Sequence, residues 1–424
     1  MAKGGVPTAA ITSDQDSVAS SQSVPPVEPK TGTVASPDAA AVPWRLGNRP
    51  PLTGLRVPFM ATVLIFHSNF RTLPGSWVSL AIFFVLSGFL ITAMLAGEQQ
   101  RTGTFSLKNF YSRRAVRLLP PLFITVALLA VYASIVHVHA AANDLWTNVA
   151  GAVFYFADYQ AAFHHEPAIG YLSQCWSLAV EEQFYLVWAI LLFVALRYST
   201  RRLAYGIAIV GVVASFADRM YIVLHAPQWN SIVAGRVYYA FDTRADALFV
   251  GCLLGLVATG GHLNDWPLWA RRTLSFLALA ALGSLMWVMF NVGLAARSLP
   301  LWWIPISEVA TVVMITYFLI HPTSMTSKLL GLPILVLLGN MTYSVYVFHW
   351  PVYVAISPFG IGMRWPFWAL ETLRLVIIMA LAVASWLLVE KRLMVWRKKA
   401  FPSGETRDAS QPELSTLTVR SPEP

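Results

Sequence analysis

Trp77-Val-Ser-Leu-Ala-Ile-Phe-Phe-Val-Leu-Ser-Gly-Phe-Leu-Ile-Thr-Ala-Met-Leu-Ala96 carries no charged side chain. A run of this length matches the hydrocarbon thickness of a bilayer, where only a helix satisfies its own backbone groups. The stretch is therefore expected to be a transmembrane helix. Within it, Ser87-Gly88 lets a neighbouring helix approach closely. As a nucleophile, Ser87 lacks the elbow motif that would support the role.

Similar runs fall near 54–70, 117–138, 176–196, 203–224, 241–259, 272–292, 301–320, 333–357 and 369–391. The expected fold is all-α, a polytopic membrane bundle of about ten transmembrane helices. A shorter apolar run at 146–157 reads as an interfacial or re-entrant helix in a long loop. Of the 424 residues, 56% are hydrophobic and 12% charged, which suits a membrane protein and no soluble class. The net charge of +9 is not a nucleic-acid signal, because the basic residues sit in short segments between apolar runs. The bilayer is thus an expected partner and nucleic acid is not. Cys175 and Cys252 give neither a disulfide framework nor a metal-ligand spacing, so no metal is expected.

Three regions are expected: a disordered tail at 1–48, a transmembrane domain at 49–396 and a second tail at 397–424. No apolar run follows Lys3, so no cleavable leader is expected. With ten spans, most of the 30 lysines and arginines lie on the side of the termini, against Arg71, Arg236, Arg297 and Arg364 in the opposite loops. This bias assigns both termini to the cytoplasm of an inner (plasma) membrane protein.

Polar residues inside the apolar runs are costly and mark function or a fixed helix contact. Arg56 and His67 are eleven residues apart, three helical turns, so they share a face with His67 roughly 16 Å deeper. Glu181 and Glu182 are adjacent and point about 100° apart, so one is expected to face the bundle and the other to pair with an arginine. Asp242 and Asp246 are spaced to share a helix face, with Arg244 between them. Tyr346 and His349 lie in a hydroxyl-rich span, and Pro351 there releases a backbone carbonyl. A histidine near a carboxylate is the minimal equipment for general base catalysis. Buried ion pairs that only fix packing account for the same charges equally well. Arg113, Arg114 and Arg117 fit two readings: a positive-inside anchor and a phosphate-binding entrance made of guanidinium forks.

Arg56-x10-His67, FFVLSGFLIT at 83–92, Arg114-x-x-Arg117, WSLAVEEQFYLVW at 176–188, DTRADALFVG at 242–251 and TYSVYVFHWP at 342–351 together resemble the acyltransferase-3 family of bacterial integral membrane acyltransferases. The resemblance covers about 50 to 395, with the motifs in family order. It implies a ten-span bundle that moves an acyl group, often acetyl, to a hydroxyl. It also implies that His67 is the catalytic base and that Arg56, Arg114 and Arg117 engage an acyl-CoA. Some members carry a further hydrolase-like domain, which a chain of this length is expected to lack.

The expected catalytic set is then His67 with Glu182 or Glu181. The expected substrate or donor contacts are Arg56, Arg113, Arg114, Arg117, Asp242, Arg244, Asp246, Tyr346 and His349. No tightly bound cofactor is expected; acyl-CoA is a co-substrate, and the acceptor is an extracytoplasmic sugar or glycolipid. Acylation of a small molecule such as a macrolide is the alternative enzymatic reading. A transporter is the rival from another class, against which the two halves show no repeated motif.

Overall fold

The computed structural model describes residues 47, 49–69, 72–136, 142–163, 170–263, 266–357 and 365–400. All regular structure among them is helical. The expected tails lie almost wholly outside these residues, as do His164, His165 and Glu166 of the long loop and Arg364.

The first expected span is two helices, α1 (Pro50–Gly54) and α2 (Arg56–Ser68), because Pro58 lacks the N–H that would bond the Gly54 carbonyl and join them. Next come α3 (Val78–Thr102) and α4 (Leu107–Val136). The 142–163 segment forms two short helices, α5 (Ala142–Val153) and α6 (Ala157–Phe163). Then follow α7 (Cys175–Tyr198), α8 (Arg201–His225), α9 (Ser231–Tyr239), α10 (Ala245–Thr259) and α11 (Leu268–Asn291). A π-helical turn at Leu299–Trp303 leads into α12 (Ile304–Ile320). The last elements are α13 (Met325–Leu330), α14 (Pro333–Ala355) and α15 (Phe367–Ser385), which runs through a π-helical turn at Trp386–Glu390 into α16 (Lys391–Ala400).

Among the described residues, seven helices are long and apolar enough to cross a membrane, which makes this a multi-pass membrane protein. The three other expected spans are α2, α10 and α14. The first two are short, and α14 is diluted by Asn340, Thr342, Tyr343, Ser344, Tyr346 and His349. The expected count of ten is therefore approximate.

Helix α3 is the centre of the bundle: 72% of its most apolar window is buried inside the protein, against 22% for α4 and α8. Its broadest contact is with α10. That contact depends on backbone proximity at glycine. A Cβ on Gly88 would lie 2.0 Å from the Leu248 carbonyl oxygen, and one on Gly251 would lie 2.1 Å from that of Val85. The expected packing role of Gly88 thus has its partner in Gly251, in the manner of small-residue helix crossings. Gly251→Ala should force the two helices apart and cost about 1–3 kcal/mol. A lowered midpoint of thermal unfolding in detergent would show this, and an unchanged midpoint would refute it.

Three apolar clusters frame the interior. The largest runs through α3, α7, α10 and α12, with Phe84, Phe89, Phe184 and Trp188 at its heart. A second joins α2, α14 and α15 around Val63, Phe348 and Ile378. A third packs α4 and α5 on α7 through Leu122, Leu145 and Ala179. The polar residues of α2, α3, α4, α7 and α14 meet where these clusters adjoin.

Candidate functional site

A cavity of about 410 Å³ opens between these five helices. Arg56 enters it from the start of α2, and Arg113, Arg114 and Arg117 from α4. Helix α4 begins ten residues before the expected span, with Ser106 Oγ accepting from the Asn109 amide at 3.2 Å. The arginine cluster therefore lies within a helix that faces the bundle. Much of the wall is apolar, with Met60, Phe83, Leu90 and Met94 among its residues.

The carboxylates divide as the adjacent spacing of Glu181 and Glu182 requires. Glu182 forms an ion pair with Arg114, whose guanidinium also lies 3.5 Å from the centre of the Tyr185 ring. Glu181 lines the cavity and accepts from Ser87 Oγ at 3.0 Å and the Tyr185 hydroxyl at 3.4 Å. Arg113 lies 3.5 Å from Glu98. Arg56 and Arg117 make no ion pair with a carboxylate among the described residues, so the cavity presents two guanidinium groups with capacity for an anion.

His67 is elsewhere. It lines a separate chamber of about 50 Å³ with Val63, Phe66, Ser76, Trp77, Leu80, Gln174, Trp176, Tyr238, Tyr239 and Tyr346. Its Nδ1 is 3.1 Å from His349 Nε2, and its ring lies 5.0 Å from that of Trp350 in an edge-on contact. The expected orientation of His67 by Glu181 or Glu182 is thus not what the bundle builds. Those side chains turn to Ser87 and Arg114, and a second histidine takes the place next to His67. The chain of donors sets the tautomers. His349 Nδ1 hydrogen-bonds the Tyr346 carbonyl, which only accepts, so Nδ1 carries the proton and Nε2 the lone pair. His67 Nδ1 then donates to His349, and Nε2 is the basic atom of His67.

Tyr346 and Leu80 line both spaces and separate them. The Tyr346 hydroxyl donates to the Gln174 carbonyl at 2.7 Å and meets Ser177 Oγ at 2.5 Å. Gln174 Nε2 in turn donates to the Val347 carbonyl at 3.0 Å. This is the carbonyl released by Pro351 four residues later, so the start of α7 takes up the acceptor that proline frees.

Asp242, Arg244 and Asp246 line neither of these two spaces. Helix α10 starts at Ala245, so Asp242 lies in the preceding turn and shares no helix face with Asp246. Asp242 pairs with Arg236 through contacts of 2.8 and 2.5 Å. Asp246 pairs with Arg219 at 2.6 Å in the protein interior. Arg244 is fully buried, its guanidinium 5.2 Å from the centre of the Tyr238 ring.

Sequence reasoning missed several members of the site. Tyr185 and Tyr343 line the cavity, and the sequence marks them only as aromatics four residues from Glu181 and three from Tyr346. Glu390, which lines neither space, is buried in the π-helical turn of the last span, where it accepts from Ser344 and Ser385 at 2.7 Å each. A lone glutamate ahead of Lys391-Arg392 reads as the polar end of a span, which hid it.

The acyltransferase domain family matches residues 52–391. O-acetyltransferase OatA of Staphylococcus aureus is 27% identical over 371 residues, covering 83% of this chain and 58% of that protein. Peptidoglycan O-acetyltransferase OatA of Listeria monocytogenes is 29% identical over 324 residues, covering 73% of this chain and 50% of that protein. The chain thus spans about half the length of these curated relatives. No solved structure gives a significant match. With the motifs in family order along the helices, and the family match running from α1 to the start of α16, the chain belongs to the acyltransferase-3 family.

Proposed function

We propose that this protein is a membrane-embedded O-acyltransferase that moves a short acyl group from acyl-CoA to a hydroxyl of a cell-envelope glycan or glycolipid. The observation that carries the reading is the arginine-lined cavity adjoining the His67 chamber across Leu80 and Tyr346. Residues 49–396 form the catalytic domain. The protein sits in the inner membrane with both termini cytoplasmic. Acyl-CoA is a co-substrate that enters from the cytoplasm, and the glycan arrives from the opposite face. The similarity to O-acetyltransferases, one of them a peptidoglycan O-acetyltransferase, supports the choice of acceptor.

The phosphates of the donor bind Arg56 and Arg117, with Arg113 and Arg114 beside them, through charge-assisted forks. The pantetheine arm lies along the apolar walls and brings the thioester to the partition. His67 Nε2 removes the proton of the acceptor hydroxyl as its oxygen attacks the carbonyl carbon. The C–O bond forms, the C–S bond breaks, and the departing thiolate takes the proton back from His67. His349 holds His67 in the productive tautomer throughout.

The test uses the purified full chain in lipid nanodiscs with radiolabelled acetyl-CoA and soluble peptidoglycan fragments. Alkali-labile label on the glycan is the expected result. Its absence would refute the reading, and a transporter would make no such ester. Replacing Arg56 and Arg117 by Gln should raise the KM for acetyl-CoA about tenfold or more, since each removes a charge-assisted hydrogen bond. An unchanged KM would remove the arginines from donor binding.

A further inference from the structure

The site has two spaces of very different size, and we propose that the smaller one selects acyl groups by length, admitting acetyl and excluding longer chains. The inference rests on the acyltransferase reading above. The chamber at His67 measures about 50 Å³, against about 410 Å³ for the neighbouring cavity. At about 50 Å³ it is the tighter of the two spaces and suits a short acyl group. An acetyl group has three non-hydrogen atoms, and the attacking hydroxyl oxygen has to fit beside them. Each methylene beyond acetyl adds bulk that these walls have to accommodate.

The walls differ in their ability to yield. Trp77 is pinned by its indole N–H, which donates to the Val292 carbonyl at 2.7 Å. Trp176 packs against the rings of Tyr238 and Tyr239 at 5.1 and 5.0 Å. Tyr346 is held by the Gln174 carbonyl and Ser177. Close-packed aromatic walls do not relax cheaply. Leu80 is different. It is aliphatic, half-buried and shared with the large cavity, so its side chain is the part of the partition whose removal joins the two spaces. Val63, one turn before His67 on α2, lines the chamber alone. Chemistry does not discriminate between acyl chains, because the same C–S bond breaks and the same C–O bond forms in each. Selection is therefore steric and falls to these side chains.

The experiment measures kcat/KM for acetyl-, propionyl- and butyryl-CoA with the full chain in nanodiscs and soluble peptidoglycan fragments as acceptor. A fitted pocket discriminates about 10–200-fold per methylene. Wild type should therefore prefer acetyl-CoA to butyryl-CoA by about 100-fold or more. Leu80→Ala should narrow that ratio at least tenfold through a gain on butyryl-CoA, and Val63→Ala should narrow it as well. The ratio is taken within one preparation, so loss of folded protein cancels. Acetyl transfer with the same ratio in wild type and both variants would overturn the inference and leave the acyltransferase reading standing. Absence of transfer from every donor by wild type would overturn the acyltransferase reading itself, and the chamber assignment with it.

Discussion

His67→Ala is expected to lower acyl transfer by about 10²–10⁴-fold, the usual contribution of a positioned general base. His67 is the histidine of the small chamber, its Nδ1 lies 3.1 Å from His349 Nε2, and a neutral ring protonated at Nδ1 carries its lone pair on Nε2. His67 is half-buried near the end of α2, where Ala is the better helix former, so the variant should still insert and fold. Rates are compared at equal amounts of monodisperse protein, with the size-exclusion profile as the check on folding. His349→Leu removes the acceptor for His67 Nδ1–H and should slow transfer by less than His67→Ala. His349→Gln keeps an acceptor there and should retain more activity than His349→Leu. Wild-type turnover by His67→Ala would remove the histidine from the reaction, and equal rates for the two His349 variants would remove the tautomer argument.

Arg219→Met is expected to cost about 3–5 kcal/mol of stability, the usual effect of stripping one partner from a buried ion pair. Arg219 is fully buried on α8. It pairs with Asp246 at 2.6 Å, and it donates to the Pro300 carbonyl at 3.1 Å and the Thr243 carbonyl at 2.9 Å. The variant leaves the Asp246 carboxylate without its cation and two interior carbonyls without a donor. Arg219 therefore ties α8 to the start of α10 and to the π-helical turn before α12. Removing both partners together, as Arg219→Met with Asp246→Leu, takes the anion away with its cation and should recover much of the loss. Thermal unfolding in detergent reads both. A midpoint for Arg219→Met as high as that of wild type would show that the pair is dispensable, and a double variant no better than the single would shift the cause to the orphaned carbonyls.

Much of the architecture was legible along the chain, because a bilayer allows few solutions. Apolar length alone identifies α3, α4, α7, α8, α11, α12 and the last span. The departures have local causes that the eye passes over. Pro58 breaks the first span, and the polar residues of α14 thin its hydropathy. The carbonyl released by Pro351 was also readable, though not its recipient Gln174, which lies 173 residues away from Val347.

The identity of the functional residues was legible from their cost: a charge or imidazole in an apolar run has to be explained. Their pairing was not. His67 meets His349 across 282 residues, Arg114 meets Glu182 across 68, and Arg219 meets Asp246 rather than a neighbour in its own segment. Each pairing depends on how far a helix is rotated about its axis and where it starts. A start at Ala245 rather than Phe241 is enough to part Asp242 from Asp246. The sequence by itself determined a helical membrane bundle and which polar side chains it must bury. The tertiary structure alone decided that these side chains divide into an arginine-lined cavity, a histidine chamber and a separate ion-pair cluster, because apolar length sets where a helix runs but leaves its rotation to packing.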